Sequence, residues 1–297
     1  QRALRPFARP RFVAQFTPLF DHRIRNYYTE NPNRPQDPEE KVIPTKLFTT
    51  FAQQTMRTYS ARRAQAHVIP HPEKAGNCED AFFISDQGNT FGIADGVGVW
   101  SELGINSALY STALLQNVKQ FIAENEDCTL YEALLYAYTR NLEAKAEGSS
   151  TVCLAKVVGR ELHALNLGDS AFAIFRNNDM IYKSEEQSHS FNYPYQLGTG
   201  GDAPAKANCI QCTMKKGDLI VMGTDGLFDN LYSDEISEII KASDPDKIAI
   251  NLAVSAMAAA CSQQRDTPFS EKVAEETDQI WRGGKMDDVT VVAYKIP

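Results

Sequence analysis

Five places in this chain begin or end a short apolar run with a carboxylate beside Gly, Ser or another acid. Glu79-Asp80 stands before AFFIS, Asp95 follows FGIA, Asp169 lies in LHALNLGDS, Asp225 in LIVMGTDG, and Asp287-Asp288 opens the run in KMDDVTVV. One such acid is an ordinary surface turn. Five gathered at one edge would repel one another and demand positive charge. Hard divalent ions with oxygen ligands meet that demand, and Mg²⁺ or Mn²⁺ suit a shell of carboxylates and water. In FGIADGVGVW (91–100) an apolar run delivers Asp95 onto a Gly-X-Gly turn, which by itself reads equally as a strand that ends at the surface.

Such acids need strands to carry them. Strand-like runs are read at Ala81–Ser85, Thr90–Ala94, Thr151–Val158, Glu161–Leu167, Ala171–Arg176, Met180–Lys183, Cys209–Met214, Asp218–Gly223 and Val289–Ile296. Tight polar links such as Val158-Gly159-Arg160 and Asn177-Asn178-Asp179 favour antiparallel hairpins over crossovers. Helical stretches are read over 102–124, with a stripe of Ile105, Ala108, Leu109, Leu115, Val118 and Ile122, and over Tyr131–Leu142, Asp234–Ile240 and Asp246–Cys261. Many hairpin strands with a few long helices predict an α+β fold, a sandwich of two mainly antiparallel sheets flanked by helices.

The net charge of −8 conceals an asymmetry. Residues 1–63 carry 12 Lys+Arg against 5 Asp+Glu, whereas 64–297 carry 18 against 33. The acidic body argues against nucleic acid as a partner. No apolar run approaches the length of about 18 residues that spans a bilayer. Six scattered cysteines in a chain of 297 residues make no disulfide framework. The lone Cys209-Ile-Gln-Cys212 falls in a strand, where its thiols face opposite ways. Residues 1–40 form a basic, Pro-rich arm of the kind that targets chains to organelles, and 41–63 connect it to the body. Pro6 and Pro10 interrupt any amphipathic helix there.

Six motifs, GNCEDAFF, FGIADGVGVW, GSSTVCLAKV, LNLGDSAFAIFR, GTDGLFDN and GGKMDDVTVV, occur in that order from residue 76 to 292. Together they resemble the metal-dependent protein serine/threonine phosphatases of type 2C. ADGVG (94–98) and QSHSFNYPYQL (187–197) look closest to the mitochondrial branch of that family. The resemblance covers 64–297 and implies a four-layer sandwich. It also implies hydrolysis of phosphoserine and phosphothreonine in proteins by in-line attack of a water bridging two divalent metals.

The resemblance assigns roles residue by residue. Asp95 bridges two metals, with the carbonyl of Gly96 on one of them. Asp225 and Asp287 complete the other metal's ligands. Glu79 acts through metal-bound water, as Asp80 largely does. Asp169 helps hold a weaker third ion with Asp225. Asp288 stands where the family often has Asn, and is open to reading as a solvated turn.

Two departures matter. Ala75 replaces the basic residue that usually handles phosphate, leaving neighbouring Lys74 as either that handle or a lysine offsetting nearby acids. Val97 replaces a His suspected of acid catalysis, so His189 enters as a substrate-site candidate beside the plainer reading of a structural loop histidine. The resemblance also implies a mitochondrial location, in the matrix, and phosphoprotein substrates there, including enzymes of quinone biosynthesis. The alternative is a catalytically weak phosphatase-like binding or regulatory module.

Overall fold

The computed structural model describes residues 57–61, 63–74, 77–277 and 279–297. The arm 1–40, most of the connecting segment 41–63, and Ala75 lie outside the described residues. In chain order the strands are β1 (Arg57–Ala61), β2 (Ala64–Ile69), β3 (Asp80–Ile84), β4 (Thr90–Asp95), β5 (Ser149–Ser150), β6 (Val152–Val158), β7 (Glu161–Leu167), β8 (Ala171–Arg176), β9 (Asp179–Lys183), β10 (Ser188–Ser190), β11 (Tyr193–Pro194), β12 (Leu197–Gly198), β13 (Asn208–Thr213), β14 (Leu219–Gly223) and β15 (Val289–Lys295). The helices are α1 (Val99–Glu102), α2 (Ser107–Glu124), α3 (Leu130–Glu143), α4 (Asp225–Phe228), α5 (Ser233–Ala242), α6 (Ile248–Ala260) and α7 (Pro268–Glu276).

Two sheets carry the fold, a six-stranded one in the order β1-β2-β15-β14-β8-β9 and a five-stranded one in the order β13-β7-β6-β4-β3. Every pairing in both is antiparallel. Asn177 and Asn178 both take positive φ, 53° and 72°, in the β8–β9 link, as a tight hairpin turn requires.

The inner strands of each sheet are buried on both faces, and the alternation along them decides which residue goes where. On β14, Ile220 and Met222 enter the core between the sheets with Phe91, Ile93, Phe172 and Tyr294. Leu219 and Val221 face the other way, onto α5 and α6 through Ile236, Leu252 and Ala256. On β6, Leu154 faces α2 and α3 through Leu114, Val118 and Leu134. The result is the expected helix–sheet–sheet–helix sandwich.

Four readings are corrected. β2 was not read as a strand, because Gln65 and His67 interrupt an otherwise buried run. α7 was also missed, although Thr267 caps it and Pro268 opens it. The helix read over 102–124 begins only at Ser107, capped by Asn106; Leu115, Val118 and Ile122 of the expected stripe are buried together with Tyr110, Ser111 and Leu114, whereas Leu109 is exposed. Asp225 does not end a strand: it opens the helical turn α4 after β14. Among the described residues, no helix is long and apolar enough to cross a membrane.

Candidate metal centre

The antiparallel order brings the acids to one end of both sheets. Asp80 opens β3 and pairs with Asp95 at the end of β4. In the other sheet Asp169 precedes β8, Asp225 follows β14, and Asp287-Asp288 precede β15. Two hydrogen bonds tie the sheets together there. Thr224 Oγ1 donates to Asp80 Oδ2 at 2.9 Å, and the Glu79 N–H donates to Asp288 Oδ2 at 2.9 Å. The His71 N–H occupies the other Asp288 oxygen at 2.7 Å. Asp288 is therefore a buried brace rather than a solvated turn acid.

Close backbone approach explains the two glycines beside the ligand candidates. A Cβ on Gly96 would lie 2.8 Å from both the Glu79 and Ser107 carbonyl oxygens. One on Gly226 would lie 2.0 Å from the Asp288 carbonyl oxygen. Asp95 is held through its backbone, its N–H donating to Thr151 Oγ1 at 3.1 Å and its carbonyl accepting from Ser150 Oγ at 2.8 Å. Glu79 accepts from Ser101 Oγ at 2.9 Å and from Ser107 Oγ.

The charges interact strongly. Burial, then Asp80 and Asp225, hold the Asp95 carboxyl well above the usual range. Burial and Asp288 do the same to Asp80. Burial and Asp225 push Asp169 up to about 8 and Asp287 up to about 6. Burial also works against ionisation of Asp225, but Lys285 reverses the balance and holds it below the usual range.

These residues fit a divalent centre in donor chemistry and in what they leave unsatisfied. Asp80 Oδ1, Asp169 Oδ1 and Asp225 Oδ1 are buried without a hydrogen-bond partner among the described residues. Buried carboxylate oxygens are costly to leave so, and a hard cation would satisfy them. Among the described residues, however, no three acidic, His or Cys side chains close round a common point as they stand. Two ammonium groups lie against these acids. Lys285 Nζ contacts Asp225, lies 3.3 Å from Asp287 Oδ2 and 3.6 Å from Asp229 Oδ2. Lys74 Nζ contacts Glu79 and lies 3.8 Å from Asp287 Oδ1.

Lys285 and Asp229 join this cluster and are the members that sequence reasoning missed. Asp229 sits one helical turn after Asp225, a spacing visible in GTDGLFDN, and pairs with Lys272 at 2.8 Å. Lys74 does reach the site, bound to the acids. His189 does not join this set: its Nε2 pairs with Asp202 Oδ2 at 2.9 Å, and its ring packs on Tyr193 and Tyr195. Cys209 is exposed while Cys212 packs against the core between the sheets, so the two thiols do face opposite ways.

Comparison with known proteins agrees with this architecture. The family described as Stage II sporulation protein E matches residues 85–297. Probable protein phosphatase 2C 80 of Arabidopsis thaliana is 39% identical over 235 residues, covering 76% of this chain and 56% of its own. The photosystem II phosphatase PBCP superposes with a TM-score of 0.74 at 30% identity, covering 79% of this chain and 98% of that one. The catalytic domain of the serine/threonine phosphatase PstP, solved with two manganese ions, shares the fold with a TM-score of 0.58 at 18% identity, over 79% of this chain and 98% of its own. The chain belongs to the protein phosphatase 2C family. It spans about half the length of the first curated relatives it matches.

Proposed function

We propose that this chain hydrolyses phosphoserine and phosphothreonine esters in proteins, using divalent cations, Mn²⁺ or Mg²⁺, held by Asp95, Asp225 and Asp287. The observation that carries the reading is that Asp80, Asp169 and Asp225, beside Asp95 and Asp287 at the joined ends of the two sheets, each bury a carboxylate oxygen with no hydrogen-bond partner among the described residues. Two such cations, when bound, would neutralise phosphoryl oxygens and acidify a water for attack on phosphorus. Asp80, steadied by Thr224, and Glu79, steadied by Ser101 and Ser107, would orient water around them. The Gly96 carbonyl would be a further donor to one cation, and Asp169 with Asp225 would hold a weaker third. Lys74 Nζ, already at the edge of the acids, is the protein cation best placed to meet a phosphate. Lys285 is held far above its ordinary pKa by Asp225, Asp287 and Asp229 in spite of burial, so it acts as a fixed charge and not as a base.

Turnover of a phosphoserine peptide in Mn²⁺, abolished by chelator and by Asp95→Asn, is the expected result. Full turnover in excess chelator overturns the reading. The competing reading, a phosphatase-like binding module, draws on the two lysines that already neutralise the acids. It predicts no turnover at any Mn²⁺ concentration.

The same proposal locates the substrates in mitochondria, in the matrix, with enzymes of quinone biosynthesis among them. Its support is the resemblance of ADGVG and QSHSFNYPYQL to the mitochondrial branch, together with the basic arm. Residues 1–63 fused to a fluorescent protein should co-localise with a matrix marker, and a cytosolic signal would refute the location.

A further inference from the structure

The opposite end of the six-stranded sheet has the opposite charge. A cavity of about 440 Å³ opens where β8 ends, β14 begins and β15 ends, and Arg176, Lys215, Lys216, Lys241 and Lys295 line it with Asp218. That volume lies within the range of small-molecule sites. β14 alone separates it from Asp225 by six residues, roughly 20 Å of extended chain, so it is not part of the acidic centre.

The cations differ in what they are free to do. Arg176 is committed to Asp218, with its Nε and a terminal nitrogen donating to the two carboxylate oxygens at 2.9 and 2.8 Å, so this pair cancels. Lys241 has a loose exposed partner, Glu238, at 3.6 Å. Nearby Asp244 is taken by Lys247 at 2.9 Å. Lys215, Lys216 and Lys295 have no carboxylate within ion-pair distance among the described residues, and all three are exposed. Unpaired lysines are ordinary on a basic surface. Here they share one concave mouth on a body whose residues 64–297 carry 18 Lys+Arg against 33 Asp+Glu. Low-dielectric walls focus the field of such a group into the cavity. The walls are apolar where Phe175 and Ile248 contribute.

Unpaired ammonium groups at the rim and apolar walls within match a ligand with two or more phosphate charges on a compact organic body. We propose that this cavity is a second, non-catalytic site for such a phosphorylated small molecule. The ligand chemistry is shared by soluble nucleotides and by the headgroup of an acidic phospholipid. The site does not depend on the reading of the acidic centre, because none of its residues belongs to it.

Calorimetry of the full chain in Mg²⁺ with ADP and with tripolyphosphate tests this, on the wild type, on Asp95→Asn and on the double variant Lys216→Ala/Lys295→Ala. Binding should survive in Asp95→Asn and weaken at least about tenfold in the double variant. The double variant should keep the wild-type melting temperature. Co-sedimentation with phosphatidylcholine vesicles containing phosphatidic acid distinguishes the source. Binding there alone, lost in the double variant, keeps the site and makes the ligand a lipid headgroup. Binding in neither arm overturns the proposal. So does binding that the double variant retains, or binding that Asp95→Asn abolishes.

Discussion

Lys285 Nζ sits against three carboxylates, Asp225, Asp229 and Asp287, two of which a bound cation would also need. An ammonium tethered there competes with any ion that enters, yet without an ion it is the charge that keeps Asp225 from being buried uncompensated. These two effects have opposite signs and can be separated. Lys285→Met should lower the melting temperature in chelator, because breaking one partner from a buried ion group costs about 3–5 kcal/mol. The same variant should bind Mn²⁺ more tightly, by about tenfold for roughly 1.4 kcal/mol of lost competition. Titration calorimetry reads the second effect and a thermal melt the first. Weaker Mn²⁺ binding in Lys285→Met would mean that the lysine orders the acids for the ion rather than competing with it. The acids were legible in the sequence because each interrupts an apolar run. Lys285 was not, since nothing in GGKMDD says that its stem folds back over Asp225.

At the level of elements, β2 lies inside its sheet, one strand from the edge, between β1 and β15. It carries a buried histidine, His67, whose pKa burial lowers from 6.5 to about 4. The unfolded chain therefore binds a proton near pH 6.5 that the folded chain refuses until about pH 4. Stability from this group is complete above pH 6.5 and drains away as pH falls toward the folded value. Between those limits His67→Leu should show a shallower fall of unfolding free energy, by up to one proton, or about 1.4 kcal/mol per pH unit. Urea melts of both proteins from pH 7 to 4.5 supply the comparison, and parallel slopes would exclude His67 as a source of acid lability. The same residue hid the strand. A polar side chain at a core position breaks the apolar pattern that sequence reading depends on, whereas β4, β8, β14 and β15, apolar on both faces, were plain. α2 was legible as a helix and in most of its buried face, through Leu115, Val118 and Ile122, but not in its first turn, because the helix starts only after the cap at Asn106 and leaves Leu109 exposed.

Across the whole molecule, charge is sorted along the strands, with acids at the ends that carry Asp80, Asp95, Asp225 and Asp287 and lysines at the far ends of β14 and β15. The net charge of −8 gave no hint of this separation, which exists only once antiparallel pairing aligns strand ends that are distant in sequence. At the acidic end each sheet contributes part of the set: Asp80 and Asp95 from one, Asp225 and Asp287 from the other. Beyond the core, the Thr224–Asp80 and Glu79–Asp288 hydrogen bonds already clasp the sheets there, working against the repulsion of the carboxylates. A cation shared between Asp95 and Asp225 would add a clasp of a different kind, present only in the folded state. Folding is then linked to cation concentration, and Mn²⁺ at a hundred times its Kd should add about 2.7 kcal/mol of stability. For a domain of this size that is a rise in melting temperature of roughly 5–10 °C. Asp95→Asn would remove the carboxylate proposed to hold that cation at the sheet junction while relieving some of the repulsion. Its melting temperature in chelator should equal or exceed that of the wild type, and it should gain little from Mn²⁺. A Mn²⁺-induced rise in Asp95→Asn as large as in the wild type would locate the stabilising ion away from the sheet junction, and the shared clasp would have to be abandoned.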